Sequence, residues 1–353
     1  MSKLNINIIK NTESKIKDID FNDIKFGRTF SDHMFIAEYY DGKWQTATIK
    51  PYGNIEISPA CNVFHYGQAI FEGMKAFYKA DNSGIVLFRP EKNVERLNYS
   101  ASRMSMPEVP KELFLEALEQ LINLDKAFVP NVPNSALYIR PFLIGTEPFI
   151  GVKTSDRYLF IILTGPVGAY YGEAISVYVH EKYIRAAKGG YGDAKAAGNY
   201  AGSLYPVELA RKEGYKDVLW LDGEHKKYVQ EVGTMNIFFV IGNKIITPML
   251  DGSILSGVTR DSIITLAKEN GYEVEEKLVD IQEIIDAHND GTLKEIFGTG
   301  TAVVVNEVNR IGYQGKDYLL DGNTFVISKK LKQQLVDIQK GISADKFNWV
   351  KEV

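Results

Sequence analysis

The chain has 353 residues, 45% of them hydrophobic and 24% charged, a globular composition long enough for two domains with cores of their own. A net charge of −4, without a basic stripe or an acidic tail, argues against nucleic acid and anionic membrane as partners and leaves small metabolites. One cysteine, Cys61, excludes an internal disulfide framework and a cysteine zinc site, and His33, His65, His180, His225 and His288 share no ligand spacing, so no metal is expected.

The N-terminal stretch MSKLNINIIKNTESK is polar and lacks the apolar run of a signal peptide or a membrane helix, which with the lone cysteine predicts a cytoplasmic setting. A hairpin follows, MFIAEYY and KWQTATI, joined by Asp41 and Gly42, a pair suited to a type I′ turn. The strand GIVLFRP leads into a helix over 91–104. A second helix over 111–128 carries Leu113, Phe114, Ala117, Leu118, Leu121 and Leu124 at helical spacing, the mark of a buried stripe. Strands ALYIRPFLIG and RYLFIILTG come next, and the small residues of GPVGAYYGEA then break the pattern. The boundary is expected there, with domains over 1–165 and 177–353 and a linker over 166–176. Beyond it, strands ISVYVHE and DVLWLD and the hairpin YVQEVGTMNIFFV to KIITP alternate with helices over 205–212, 258–270 and 281–288. A closing strand, IFGTGTAVVVNEV, and a helix over 329–340 end the chain. The elements are mixed without regular βαβ spacing, which predicts two α+β domains with mixed sheets.

Within the second half, GGYGDAKAAGNY isolates Lys195 among small residues. A lysine amine becomes a nucleophile toward carbonyls when it is desolvated or set beside another cation. Gly189, Gly190, Gly192, Ala194, Ala196, Ala197 and Gly198 remove bulk, so a flat aromatic cofactor could approach and form a Schiff base with that amine. Three further constellations suit a phosphorylated pyridine. LSGVTRDSIITLAKENG reads as a helix started by Ser256 and ended by Gly271, whose free N–H groups at Gly257, Val258 and Thr259 make an anion site. FGTGTA offers a second nest of donors. Glu231, in QEVGTMN before the apolar NIFFV, is placed to hold a protonated pyridine nitrogen. Each signal has a plain structural alternative; their order along the chain is more specific than any one of them.

Together these residues resemble the branched-chain amino acid aminotransferases, of the fold-type IV class of pyridoxal 5'-phosphate enzymes. The resemblance covers nearly the whole chain: KFGRTFSDHM, HYGQAIFEGMKAF, LFRPEKNVERL, LYIRPFLIGTEP and GPVGAYY in the first half, AKAAGNY, EVGTMNIFF, LSGVTRDS and FGTGTA in the second. It implies a mixed-sheet N-terminal domain, a larger barrel-like C-terminal domain that anchors the cofactor, and a homodimer. The implied activity is transfer of the amino group of leucine, isoleucine or valine to 2-oxoglutarate. Lys195 is then the Schiff-base lysine and proton carrier, Tyr200 the partner of the cofactor's phenolic oxygen and Glu231 that of its pyridine nitrogen. Arg96, Val258, Thr259 and Thr301 are implied for the phosphate, with Thr234 also on the cofactor side. Tyr138, with the N–H groups of Thr301 and Ala302, is implied for the substrate α-carboxylate. Arg140 and Tyr66 would meet the distal carboxylate of glutamate, and Phe26, Phe71 and Tyr170 would wall the side-chain pocket. Tyr138 and Arg140 are two apart in a strand, which sets both on one face. Some family members carry a Cys-x-x-Cys pair after the Gly-Thr segment; Val303 and Asn306 stand there in this chain, so no thiol switch is expected. D-amino acid aminotransferases, aminodeoxychorismate lyases and a catalytically silent cofactor-binding protein are the alternative readings. The Tyr138 and Arg140 pair and the intact Lys195, Tyr200 and Glu231 stand against them.

Overall fold

The computed structural model describes residues 5–168 and 173–353. In these the chain divides into two compact units, the first made of Met1–Tyr170, Ala194–Ala197 and Ile338–Val353, the second of Tyr171–Asp193 and Gly198–Asp337. A division at 166–176 alone therefore does not describe the chain: a tetrapeptide around Lys195 and the C-terminal tail both belong to the first unit.

The first unit is built on a ten-stranded sheet. Its strands are β1 (Ile6–Ile8), β2 (His33–Tyr40), β3 (Lys43–Trp44), β4 (Ala47–Pro51), β5 (Ala69–Phe71), β6 (Met74–Tyr78), β7 (Ile85–Phe88), β8 (Ala136–Gly145) and β9 (Tyr158–Val167), closed at one edge by the C-terminal strand Val350–Glu352. The predicted hairpin turns at Asp41 and Gly42, whose φ of 51° and 70° are those of a type I′ turn. The spine is the antiparallel pair β8 and β9, in register from Ala136 opposite Val167 to Gly145 opposite Tyr158. Helix α1 (Asn62–Tyr66) precedes β5, and α2 (Pro90–Arg103) and α3 (Lys111–Leu124) follow β7. Of the α3 stripe, Leu113, Phe114, Ala117, Leu118 and Leu121 are buried in one core with Leu97 and Ala101 of α2, joined by Ile122, while Leu124 is only partly buried; the helix ends there, with a separate short 3-10 turn over Lys126–Phe128, and does not run on to 128. Each larger side chain of that set contributes about 1.5–3 kcal/mol by leaving water.

The second unit carries a second ten-stranded sheet, with β10 (Ile175–Val179), β11 (Asp217–Leu221), β12 (Tyr228–Val232), β13 (Met235–Ile241), β14 (Lys244–Pro248), β15 (Glu273–Lys277), β16 (Val279–Asp280), β17 (Leu293–Gly300), β18 (Val304–Tyr313) and β19 (Lys316–Leu319). Pairing between β12 and β13 closes the ring β13-β17-β18-β10-β11-β12, so this sheet is barrel-like. Helices α4 (Ala197–Ala201), α5 (Leu204–Lys212), α6 (Val258–Glu269), α7 (Ile281–Asn289) and α8 (Ile327–Gln339) accompany it. The closing segment IFGTGTAVVVNEV is a hairpin and not one strand: β17 and β18 are antiparallel, with Gly300 opposite Val304. An apolar run that changes direction at Gly-Thr-Ala is not distinguishable from a continuous strand by periodicity. The two units together have the mixed α+β architecture expected of the chain.

Candidate active site

In the first unit, Lys195 is held by its backbone. Its N–H donates to Ser100 Oγ at 2.9 Å and its carbonyl accepts from Phe71 N at 3.0 Å, while Ala196 bridges to Ile70. Ser100 Oγ in turn donates to the Arg96 carbonyl at 2.9 Å, so the lysine is tied to α2, the helix that carries Arg96. The small neighbours are closely packed. Ala194 and Ala196 are buried in the first core, and a Cβ on Gly192, in the second unit, would collide with Ala186 and the Ser253 carbonyl. At these three positions the packing around the backbone leaves no room for larger side chains.

The Lys195 amine stands 4.9 Å over the Phe71 ring, and the Arg140 guanidinium stands 4.7 Å over the same ring. Each cation gains attraction from the quadrupole of that ring. Arg140 also donates through Nη2 to Tyr138 Oη at 2.8 Å, which bears out the shared face of these two β8 residues. Tyr138 Oη accepts there, leaving its own proton for another acceptor, and the buried Arg140 Nε has no hydrogen-bond partner in the structure. Phe26 meets the Tyr138 ring edge-on at 4.9 Å. Tyr66, at the end of α1, is 40% exposed. Tyr170 lies outside the described residues.

Arg96 is paired with Glu72, a buried carboxylate between β5 and β6 that sequence reasoning missed, and Asn93 shares it. Burial alone would push the Glu72 carboxyl up, but the charge and hydrogen bonds of Arg96, the charge of Lys195 and the Asn93 amide outweigh it and hold the group below its ordinary value. The available signal was FEG itself, a charged residue set between two apolar strand segments.

In the second unit, Glu231 is a buried β12 residue opposite Asn236 of β13, not a solvated strand end. Its Oε1 accepts from Leu255 N at 2.8 Å and its Oε2 stands 3.2 Å from Arg185 Nε. Arg185, also missed, donates to the Gly192 carbonyl at 3.2 Å and to that of Ser253, gathering three segments around one buried ion pair. The N-cap of α6 is Gly257, which has no side chain to cap with, and not Ser256, which is exposed. A Cβ at Gly257 would run into the side-chain oxygen of Asn236, so a larger residue there would have to displace that amide. Val258 and Thr259 thus open α6 with their backbone N–H groups, Thr259 buried and Val258 half-buried. Thr301 and Ala302 lie in the turn between β17 and β18, which ends on Val304 at φ 63°, a left-handed conformation uncommon for a β-branched residue. Thr234 is exposed in the β12–β13 turn, and Tyr200 is half-buried in α4. No group of three or more potential metal ligands occurs among the described residues.

The first unit thus presents an amine, a guanidinium with an orphaned Nε and a tyrosine hydroxyl, and the second a buried carboxylate and a helix start at Val258. Taken unit by unit, the first set suits carboxylates, and in the second the carboxylate suits a basic ring nitrogen and the helix start an anion. The profile of the family described as amino-transferase class IV matches residues 69–311. The chain is similar to branched-chain-amino-acid aminotransferase 2 of Bacillus subtilis strain 168, 48% identical over 347 residues, which is 97% of this chain and 95% of that one. It is similar as well to branched-chain-amino-acid transaminase 1 of the same organism, 49% identical over 340 residues and 95% of each chain. Among solved structures, the branched-chain amino acid aminotransferase from Escherichia coli matches with a TM-score of 0.73 at 26% identity, over 91% of this chain and 98% of that one. The T.th. branched-chain amino acid aminotransferase with pyridoxamine 5'-phosphate matches with a TM-score of 0.72 at 25% identity, over 90% and 98%.

Proposed function

That the chain belongs to the amino-transferase class IV family is the premise from which we propose its reaction: transfer of the amino group of leucine, isoleucine or valine to 2-oxoglutarate, with pyridoxal 5'-phosphate as cofactor. The observation that carries the reading is the grouping of Lys195 and Arg140 at the Phe71 ring, with Tyr138 bonded to Arg140. It sets a nucleophilic amine beside two groups that recognise carboxylates.

The donor set suits the cofactor. Arg96, the opening N–H groups and hydroxyl of Val258 and Thr259, and Thr301 match a phosphate, with Thr234 as a further contact; Glu231, held beside Arg185, matches a protonated pyridine nitrogen; Tyr200 matches a phenolic oxygen. When bound, pyridoxal 5'-phosphate supplies an electron-withdrawing ring that stabilises negative charge at the substrate's α-carbon. Lys195 anchors it and then, as a free amine, takes the proton from that carbon. The Tyr138 hydroxyl, with the N–H groups of Thr301 and Ala302, holds the α-carboxylate. Arg140 meets the distal carboxylate of glutamate, with Tyr66. When leucine is bound instead, Arg140 keeps Tyr138 and the Phe71 ring as partners, so an apolar side chain does not strand its charge. Phe26 and Phe71 complete the apolar wall.

The same reading includes a homodimer in the cytoplasm. Phe149, Ile150 and Val152 are neighbouring exposed apolar residues after β8, an arrangement that favours association. Among the described residues no helix is long and apolar enough to cross a membrane. The test is a coupled assay of glutamate formation from 2-oxoglutarate with each of the three amino acids. Turnover with all three supports the reading; activity confined to D-alanine, or none with cofactor present, contradicts it.

A further inference from the structure

Phe71, Glu72 and Gly73 form a corner between β5 and β6 on which the cations of the first unit converge. Phe71 faces Lys195 and Arg140; Glu72 faces Arg96. The Glu72 side chain is fully buried and that of Arg96 is 9% exposed. Its carboxylate accepts from Arg96 Nε at 2.7 Å through Oε1, and through Oε2 from Arg96 Nη2 at 2.8 Å, Asn93 Nδ2 at 2.8 Å and Gly73 N at 3.2 Å. Asn93 and Arg96 are three apart on α2, so they share a face of that helix and close on the carboxylate together. A carboxylate taken this far from water is retained only where its partners are worth the desolvation, and no step of the proposed reaction uses it.

The geometry of the pair suggests its use. Two parallel N–H to oxygen bonds fix the plane of a guanidinium, whereas an unpaired arginine samples many rotamers. We propose that Glu72 is a positioning residue: by gripping the Nε and Nη2 edge of Arg96 it sets the direction in which that side chain receives the cofactor's phosphate. The inference rests on the reading of Arg96 as a phosphate holder. Glu72 also brings a negative charge, which acting alone would weaken phosphate binding. Orientation outweighs repulsion because that charge is already met by two bonds from Arg96. In Glu72→Gln the amide turns a donor toward one arm of the fork, so only one bond can form and the guanidinium is released.

The test titrates the cofactor-stripped full chain with pyridoxal 5'-phosphate and with pyridoxal, which lacks the phosphate, and reads the ratio of the two dissociation constants. In wild type the phosphate gives a large ratio. Arg96→Met should shrink it by roughly tenfold to a hundredfold, the loss of a charge-assisted contact. Glu72→Gln should shrink it by roughly tenfold while leaving pyridoxal affinity within about threefold, and the double variant should lose no more than Arg96→Met alone. If Arg96→Met keeps the wild-type ratio, the phosphate reading of Arg96 is wrong. If Arg96→Met lowers the ratio but Glu72→Gln keeps or raises it, the phosphate reading stands and the positioning role is overturned. Should Glu72→Gln fail to fold, Asn93→Ala decides, since it loosens the carboxylate without removing its charge. It should shrink the ratio by roughly twofold to tenfold, and an unchanged ratio overturns the proposal.

Discussion

At the scale of single residues, the fold fixes Lys195 by its backbone and leaves the amine against an aromatic face. Reduction of the holoenzyme with borohydride should therefore place a phosphopyridoxyl mass on the peptide containing Lys195, and Lys195→Ala should lose both that mass and turnover. A modified peptide from elsewhere in the chain would move the anchor. Arg140 allows a sharper comparison. Arg140→Met removes the contact with a distal carboxylate, worth about 1.5–3 kcal/mol, so kcat/KM for glutamate should fall roughly tenfold to a hundredfold. Leucine has no such carboxylate and should lose much less; an equal loss would assign Arg140 to the α-carboxylate or to the fold. Glu72 gives the pH dependence its sign. Its carboxyl is held below the ordinary value of 4.5, so the folded state binds this proton less readily than the unfolded chain. The stability it contributes is present above that value and is lost as pH falls through the lowered one. Urea unfolding should accordingly show wild type ahead of Glu72→Gln at pH 7, with the gap closing below pH 4.5; a gap independent of pH would mean that Glu72 is not ionised in the folded state.

At the scale of elements, the corner between β5 and β6 depends on Gly73, where an added Cβ would lie 2.5 Å from Tyr138 Oη. Gly73→Ala should push the tyrosine away from Arg140 and cost about 1–3 kcal/mol of stability with a raised KM, measured by unfolding and steady-state kinetics together. Unchanged values would show that Tyr138 has room to move. Long, strongly periodic elements were legible in the sequence: α3 from its apolar stripe, β8 to both ends, and the turn at Asp41 and Gly42. Legible too was the common face of Tyr138 and Arg140, which follows from spacing in one strand. Short strands such as β5 and β6 were not, because three to five residues around FEG carry no period to read. The same limit hid the functional neighbours. Glu72 meets Arg96, and Arg185 meets Glu231, across 24 and 46 residues of chain, and nothing local in either partner signals the other. The start of α6 at Val258 was read correctly but its cap one residue early, for a related reason: serine is the commoner cap, and only the contact with Asn236 explains Gly257.

At the scale of the whole molecule, the chain's end is part of the first unit. Val350–Glu352 pairs with β7, and Trp349 stacks on Phe347 at 4.4 Å, meets Phe88 edge-on and lies 4.9 Å from the Arg89 guanidinium. Trp349→Ala should lower stability by about 3–5 kcal/mol, seen as an earlier urea midpoint; an unmoved midpoint would make the tail an accessory. Composition and charge pointed to a small-metabolite enzyme without stating which, and the pattern of motifs along both units carried the reading further than any one of them. The proposed reaction joins, on one chain, two half-reactions with chemically unlike substrates. Its most direct test is a single-turnover experiment on the holoenzyme, following the cofactor's absorbance as leucine and then 2-oxoglutarate are added. The predicted result is conversion to the amine form of the cofactor with release of one equivalent of the branched 2-oxo acid, followed by full return with formation of glutamate. An absorbance that leucine leaves unchanged, or that 2-oxoglutarate does not restore, would contradict it.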